Sequence, residues 1–400
     1  MKDSKGITKV ASIINSTSAK LVATSLAVLL ICMNRETSIL EPEFELYGID
    51  LGLMETKPNM GVLYFMTDME VVIDTITEKC NALMDDPRSP LNIVKHPGKN
   101  AFAYDTTRRA GDIFRFTCMV DPMDMYETFG DNDLFAIFVN KCIRHSVIIW
   151  RHGIMDGITV IETVFNLMGS PLKMAPASPP NTTIKHAMMI VQSIARIPKI
   201  LHSSHVRRTE ELTFTELKFS VSETKRRASL NHTSFVPQMT SQYLSAVFSV
   251  MPESVAYLRV NITVHIDNPN RFNNFSIVPI GIYRNRCGAV EIKRQINYFK
   301  CIVFGFRALI ENKTAINVAK RIPYMDPDIS EQIPYLNPDI NLSLFRTQDD
   351  PGIIKGRKIN VYSFSSKAAI YSCGVQCGND SYTITNSCKY LLGGKLGSTI

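Results

Sequence analysis

The feature that most constrains the fold is a stretch in which strand-type periodicity changes to helix-type periodicity. Val147–Trp150 is a short run of apolar residues, mostly β-branched, which is typical of a buried strand. Apolar side chains then recur at helical spacing, at Ile158, Ile161, Val164 and Phe165. The sequence therefore predicts a strand, a short turn and an amphipathic helix. Such a turn lies at the open end of a sheet, where a substrate has room to bind.

This turn contains the pattern HxxxDG, formed by His152, Asp156 and Gly157. A neutral imidazole has a pKa near working pH, so a histidine held there is suited to general base catalysis. We predict His152 as the reactive group and Asp156 as a carboxylate that fixes the loop through backbone amides or a cation. A glycine at position 157 tolerates backbone angles that other residues avoid. A purely structural interpretation is also open, in which His152 caps the strand, Asp156 is a helix N-cap and Gly157 is a turn residue.

Length and composition predict a two-lobed globular protein. A chain of 400 residues exceeds the usual span of one hydrophobic core. Its content of 45% hydrophobic and 20% charged residues excludes a disordered chain and fits a globular protein or one that contacts a membrane. The formal net charge of +7 favours anionic ligands, such as phosphorylated cofactors or acidic lipid surfaces. The basic residues are dispersed and form no nucleic-acid motif, so we expect no nucleic-acid partner.

The cysteines indicate reduced thiols in a cytosolic environment. There are nine, widely spread and without paired CxxC spacing, which argues against a disulfide framework or a zinc site. Cys373 and Cys377 lie close together in the sequence, yet no second pair or histidine cluster accompanies them. We therefore predict no metal site.

The amino-terminal segment, residues 1–40, carries lysines followed by the uncharged run Leu21–Met33. This run is shorter than the roughly 20 apolar residues that span a bilayer comfortably. It favours a helix that lies at the membrane surface, with a short tilted span and a buried core helix as alternatives. We expect association with the endoplasmic reticulum or a lipid droplet, the globular part being cytosolic, and a cytoplasmic location is the alternative.

Strand and helix patterns alternate in two successive halves, which predicts an α/β (α+β) architecture. The first lobe, residues 41–175, has a predicted helix at Met69–Met84 and strands at Met60–Met66, Leu134–Val139 and Ser146–Trp150. Prolines mark an interlobe connection at residues 176–211, and later prolines break up the region after Pro323. The second lobe, residues 212–400, has predicted helices at Pro237–Met251 and Ala289–Ile310 and strands at Leu212–Val221, Leu258–Ile266, Phe275–Ile282, Lys358–Ser363 and Ala368–Val375.

Further segments follow in a recognisable order around the motif. Glu55–Met66 precedes it, Leu230–Ser254 and a strand follow it, and Asn274 opens a later strand. In these segments and in HxxxDG the chain resembles the bifunctional wax ester synthase and diacylglycerol acyltransferase family, from about Glu41 to about Asp380. That family belongs with chloramphenicol acetyltransferase and peptide-synthetase condensation domains.

The family signature is HHxxxDG, and Arg151 stands here at its first histidine. Asn231 and Asn274 fall on asparagines of two further family motifs, in which His232 replaces an aspartate and Asn273 replaces a glycine. The loop that precedes the family's terminal hairpin is only weakly matched, by residues 341–352. The resemblance implies that His152 is the general base, that Asp156 braces the loop, that Arg151 and Gly157 support the motif and that Asn231 and Asn274 contact substrate.

The resemblance also implies a two-lobed chloramphenicol acetyltransferase-like fold, with mixed sheets flanked by helices and an active-site channel between the lobes. The implied function is an O-acyltransferase that moves a fatty acyl group to the hydroxyl of a fatty alcohol or diacylglycerol. Acyl-CoA would be a co-substrate, with no bound cofactor. Two alternatives stay open: an acyltransferase for another small acceptor, and a lipid-binding or membrane-associated relative whose divergent motifs have weakened the chemistry.

Overall fold

A computed structural model describes residues 43–44, 57–65, 68–87, 89–95, 102–140, 142–143, 145–167, 206, 212–265, 275–299, 338–345, 356–363, 368–376 and 380–388. The predicted amino-terminal segment, residues 1–40, lies outside these ranges, as does nearly all of the connection at 176–211. Within the described ranges, no helix is both long enough and apolar enough to cross a bilayer.

A mixed sheet of five strands carries the motif. In spatial order it contains β12 (Gly356–Ser363), β2 (Asn59–Phe65), β7 (His145–Trp150), β6 (Phe135–Asn140) and β5 (Phe114–Thr117). Strands β6 and β7 form the antiparallel hairpin that the sequence predicts, whereas β5 and β6 are parallel. The strand predicted at Lys358–Ser363 is present, but it pairs with β2 instead of closing a sheet of the second lobe. The chain therefore returns to the first sheet late in the sequence.

Three helices pack on this sheet: α1 (Met69–Met84), α2 (Pro122–Glu127) and α3 (Gly157–Leu167). Helices α1 and α3 share one core with Ile148 and Trp150 of β7. Val147 and Ile149 point to the opposite face, into a core with Met125 of α2. Because both faces of β7 are buried, its sequence is a continuous apolar run and does not alternate.

The second lobe contains a mixed sheet of six strands. In spatial order these are β10 (Phe275–Tyr283), β9 (Tyr257–His265), β11 (Ile340–Phe345), β13 (Ile370–Gln376), β14 (Ser381–Cys388) and β8 (Thr213–Ser220). Strand β11 runs parallel to both of its neighbours, and the other pairs are antiparallel. A separate small sheet contains β1 (Glu43–Phe44), β4 (Phe102–Tyr104) and β3 (Ile93–Lys95).

One face of the six-stranded sheet is covered by α4 (Val221–Leu230), α5 (Phe235–Val250) and the helical residues 289–299, which we call α6. Helix α5 and the strands β8, β9, β10 and β13 confirm the predictions for this lobe, and the helix predicted at Ala289–Ile310 is confirmed over residues 289–299. The sequence did not predict α4 or β14. It also did not predict a strand after Pro338, where β11 lies and forms an interior strand of the sheet.

The opposite face of this sheet is turned towards the first lobe. The hydroxyl of Thr385 in β14 donates to the carbonyl of Val361 in β12 at 3.0 Å and accepts from its N–H at 3.2 Å. The N–H of Ser363 donates to the hydroxyl of Ser387 at 3.3 Å. Strand β12 therefore joins the two lobes, since it pairs within one sheet and hydrogen bonds to the other.

Candidate active site

The HxxxDG motif occupies the turn between β7 and α3, where the change of periodicity predicts it. The N–H of Arg151 donates to the carbonyl of Leu134 at 2.9 Å, and the N–H of Ile154 donates to that of Arg151 at 3.2 Å. Ile154 and Met155 are buried in the core beneath α1 and α3. Backbone hydrogen bonds and core packing together fix the path of the turn.

His152 lies at the seam between the two lobes. Its ring meets the ring of Phe275, the first residue of β10, with centroids 5.0 Å apart and planes inclined at 64°. The histidine is carried by the first lobe and the phenylalanine by the second, so the motif reaches across the seam. His152 is half-buried, while its Nδ1 atom is buried. The solvent-accessible surface of His152 therefore belongs to other atoms of the residue.

Asp156 is the N-cap of α3. Its Oδ1 accepts from the N–H of Thr159 at 2.7 Å, and its carbonyl accepts from the N–H of Val160 at 3.0 Å. Only 1% of the residue is exposed. A carboxylate is stabilised at a helix N-terminus, where it satisfies an amide that has no partner within the helix. Asp156 thus connects the turn to the helix, which is the geometry expected of a bracing residue.

Arg151 fastens the motif to a neighbouring loop. Its Nε donates to the carbonyl of Asp133 at 2.9 Å and one terminal nitrogen donates to the carbonyl of Gly130 at 3.2 Å. The guanidinium also lies 5.8 Å from the ring centroid of Phe129 and 3.7 Å from a carboxylate oxygen of Asp131. These contacts define a structural role for the residue that stands at the family's first histidine.

Gly157 begins α3 with backbone angles that do not require glycine. Its φ lies outside the left-handed region that favours glycine, and an added Cβ would lie 3.5 Å from the Phe345 ring, an ordinary van der Waals distance. Phe345 belongs to β11, so this is a second contact between the motif and the other lobe. The small side chain allows that ring to approach the first turn of α3.

The structure does not bring Asn231 to the motif. Asn231 ends α4, where its N–H donates to the carbonyl of Arg227 at 3.0 Å and its Nδ2 donates to Oε1 of Gln238 at 2.8 Å. It therefore links α4 to α5, in the helical layer on the far face of the second sheet. Asn274 lies outside the described residues. Among the residues that are described, no group of three or more His, Cys, Asp and Glu side chains could hold a metal ion.

The second lobe contributes polar side chains that the sequence interpretation missed. Ser343 Oγ in β11 donates to Thr263 Oγ1 in β9 at 2.8 Å, and Tyr371 in β13 hydrogen bonds to Ser343. These three residues, which we call the polar strip, lie on the face turned towards the first lobe. The available signal was alternation: in β9, Asn261 and Thr263 are separated by apolar Ile262, which faces the helices. Alternation alone does not say what the polar face meets.

No protein-family model matches the sequence, and no curated protein matches it significantly. Solved structures do match in fold. The EpoB cyclization-docking bidomain from Sorangium cellulosum is 11% identical with a TM-score of 0.56, over 94% of this chain and 87% of that one. The epimerization domain from the third module of tyrocidine synthetase B is 12% identical with a TM-score of 0.53, over 90% and 94%.

A wax ester synthase/diacylglycerol acyltransferase from Marinobacter aquaeolei is 10% identical with a TM-score of 0.52, over 88% of this chain and 95% of that one. At these identities the likeness concerns the fold. The chain has the two-lobed α/β fold of condensation-domain and chloramphenicol acetyltransferase-like proteins, with mixed sheets flanked by helices. The fold class expected from the motif and the order of elements is confirmed.

Proposed function

We propose that the protein is an acyl-CoA-dependent O-acyltransferase that moves a fatty acyl group to the hydroxyl of diacylglycerol or a long-chain alcohol. The observation that supports this proposal best is the position of His152. Its ring stands at the end of a buried strand, meets Phe275 of the opposite lobe and keeps part of its surface accessible. Two substrates that enter between the lobes would meet at such a group.

In the proposed reaction, Nε2 of His152 takes the proton from the acceptor hydroxyl as the oxygen attacks the thioester carbonyl of acyl-CoA. The tetrahedral intermediate collapses, the carbon–sulfur bond breaks and the ester is released. The imidazolium then returns its proton to the departing CoA thiolate, which leaves the enzyme unchanged. General base catalysis of this kind contributes roughly 10²-fold to 10⁴-fold to the rate.

Asp156 and Arg151 are positioning residues in this proposal. Asp156 caps α3 from within the turn, and Arg151 ties the start of the turn to two loop carbonyls. Together they fix the backbone on both sides of His152. A base held within a fraction of an ångström of its working position needs this kind of rigid support.

The test is acyl transfer from labelled palmitoyl-CoA to hexadecanol or dioleoylglycerol by the purified protein. We expect His152→Ala to lower the rate by about 100-fold or more, since that is the lower end of the contribution of a general base. His145→Gln is the matched control, because His145 is a half-buried histidine at the opposite end of β7. Equal losses in both variants would contradict the assignment. Acyl-chain binding without turnover, including with shorter acyl donors, would favour a lipid-binding protein.

We also propose that the protein works at the surface of the endoplasmic reticulum or a lipid droplet, attached through Leu21–Met33. Both acceptors are poorly soluble, so an enzyme that uses them gains from lying where they accumulate. Deletion of residues 1–34 should shift the protein from the membrane fraction to the soluble fraction in a flotation assay. Unchanged partition would argue for a cytoplasmic protein.

A further inference from the structure

The face of the second sheet that meets the first lobe is polar at its centre. Side chains on the helix-covered face are mainly apolar, as Val260, Ile262 and Leu342 illustrate. On the interlobe face, the next positions along the same two strands are Thr263 and Ser343. A buried hydroxyl requires a hydrogen-bond partner, which Thr385 and Ser387 on the same face find in β12. Ser343 donates to Thr263 within its own sheet, which leaves Thr263 a proton to donate. The polar strip therefore indicates a surface that faces a ligand with hydrogen-bonding groups.

The polar strip lies next to Phe275, the residue of the second sheet whose ring contacts His152. Thr263 pairs with Ile277 of β10, and Phe275, whose ring contacts His152, is the neighbouring residue on the same face of β10. Diagonal neighbours of this kind on one face of a sheet are about 7 Å apart. A molecule whose reacting hydroxyl lies at His152 would thus extend along this face towards Thr263.

The hydrogen bond between Ser343 and Thr263 determines which hydroxyl of the polar strip can donate to a ligand. Ser343 donates its hydroxyl proton to Thr263 Oγ1 at 2.8 Å and also hydrogen bonds with Tyr371. Thr263 accepts from Ser343, and its own proton points away from Ser343. Each hydroxyl in such a series is polarised by the one before it, which makes the last member a better donor. The strip therefore presents a donor, and its natural partner is a carbonyl oxygen.

Thr263 and Tyr371 are half-buried, although both lie in interior strands of a six-stranded sheet. On the other side of the same face, Thr385 and Ser387 hydrogen bond to β12. Thr263 and Tyr371 therefore keep some accessible surface on the interlobe face, as does Ile277 beside Phe275. A substrate entering between the lobes would reach it.

We infer that the polar strip selects the acceptor, and that Thr263 donates a hydrogen bond to an ester carbonyl next to the reacting hydroxyl. This inference rests on the proposed function. It identifies the preferred acceptor class as a diacylglycerol, in which ester carbonyls flank the free hydroxyl, over a simple long-chain alcohol, which has only hydrocarbon beside it. Thr263 acts in this assignment as a specificity residue, distinct from the base at His152.

The test compares 1,2-dioleoylglycerol with its diether analogue, which has the same chains and hydroxyl but no carbonyl. We expect wild-type kcat/KM to favour the diester by about fivefold, the worth of one neutral hydrogen bond. Thr263→Val removes the hydroxyl at nearly constant volume and should bring the ratio of the diester rate to the diether rate close to one. Ser343→Ala should lower the ratio in the same direction. Thr383→Val alters a buried threonine on β14, outside the strip, and should preserve the ratio.

The inference is overturned if wild type shows no preference for the diester or if Thr263→Val leaves that preference intact. Should wild type turn over none of these alcohols, the proposed function fails and the strip is tested by binding. Binding of the radiolabelled diester and diether, delivered in detergent micelles, is then measured directly. Tighter binding of the diester that Thr263→Val abolishes would support the strip without turnover, and equal binding of diester and diether would refute it.

Discussion

Replacement of Asp156 by alanine separates a bracing role from a chemical one. The carboxylate is buried and accepts from the N–H of Thr159 at 2.7 Å, so its loss removes the cap of α3 inside the core. Loss of an N-cap costs about 1 kcal/mol, and a buried amide left without an acceptor costs about 1–3 kcal/mol. Because both figures describe the same amide, they overlap, and we expect Asp156→Ala to lower the free energy of unfolding by about 1–3 kcal/mol.

Asp68 provides the matched control for this measurement. It caps α1 in the same way, accepting from the N–H of Glu70 at 2.9 Å, but it is exposed. Asp68→Ala should therefore cost about 1 kcal/mol or less, since water can replace the lost acceptor. Asp156→Asn keeps an acceptor oxygen and should recover most of the loss.

Urea unfolding followed by Trp150 fluorescence measures these differences. The bracing argument is refuted if Asp156→Ala costs no more than Asp68→Ala. It is also refuted if Asp156→Ala is as stable as wild type yet inactive, because Asp156 would then act in the reaction itself.

Three further predictions concern the same region and the thiols. Arg151→Ala should lower the free energy of unfolding by about 2 kcal/mol, because it leaves two loop carbonyls without their charged donor, and a loss below about 0.5 kcal/mol would contradict this role. Gly157→Ala should unfold at the same urea concentration as wild type or a slightly higher one, since the new Cβ makes only ordinary contact with Phe345 and alanine favours the helix, and clear destabilisation would show that the backbone needs glycine there. At pH 8, iodoacetamide should alkylate exposed Cys118 and spare buried Cys80, whose pKa burial raises to about 12, as site-resolved mass spectrometry can check. The same shift stabilises the fold below the ordinary thiol pKa of about 8.5, and this contribution decreases as pH rises towards 12, because only the unfolded chain then ionises at Cys80.

The parts of the fold that the sequence predicts correctly are those specified by neighbouring residues. Strand β7, the turn and helix α3 follow from a change of period within a single stretch, and α1 follows from its apolar face. Strand β11 was missed because prolines precede it and its parallel partners are distant in sequence. Short parallel strands have no turn signal of their own, so only the assembled sheet defines them.

The candidate site likewise contains residues that local sequence predicts and contacts that only the assembled fold defines. His152 could be assigned from HxxxDG, because motif and turn are contiguous in the chain. The contacts of Phe275 with His152 and of Phe345 with Gly157 join residues more than a hundred positions apart, and periodicity carries no information about such pairs. The expectation for Gly157 likewise concerned only the local backbone, whereas Phe345, which lies beside it, belongs to the other lobe.

The return of β12 to the first sheet explains how one face of the second sheet can serve two purposes. On the side of β14 and β8, β12 makes the interlobe hydrogen bonds, including one from Asn360 Nδ2 to Glu216 Oε1 at 2.6 Å. On the side of β9 and β11, the same face carries the polar strip and the aromatic rings that meet the motif. The contacts that set the spacing of the lobes thus lie on the sheet that would bind the acceptor. A change that weakens the β12 contacts should therefore move His152 relative to Thr263 and lower the rates with the diester and the diether together. Thr263→Val should lower the rate with the diester more than the rate with the diether.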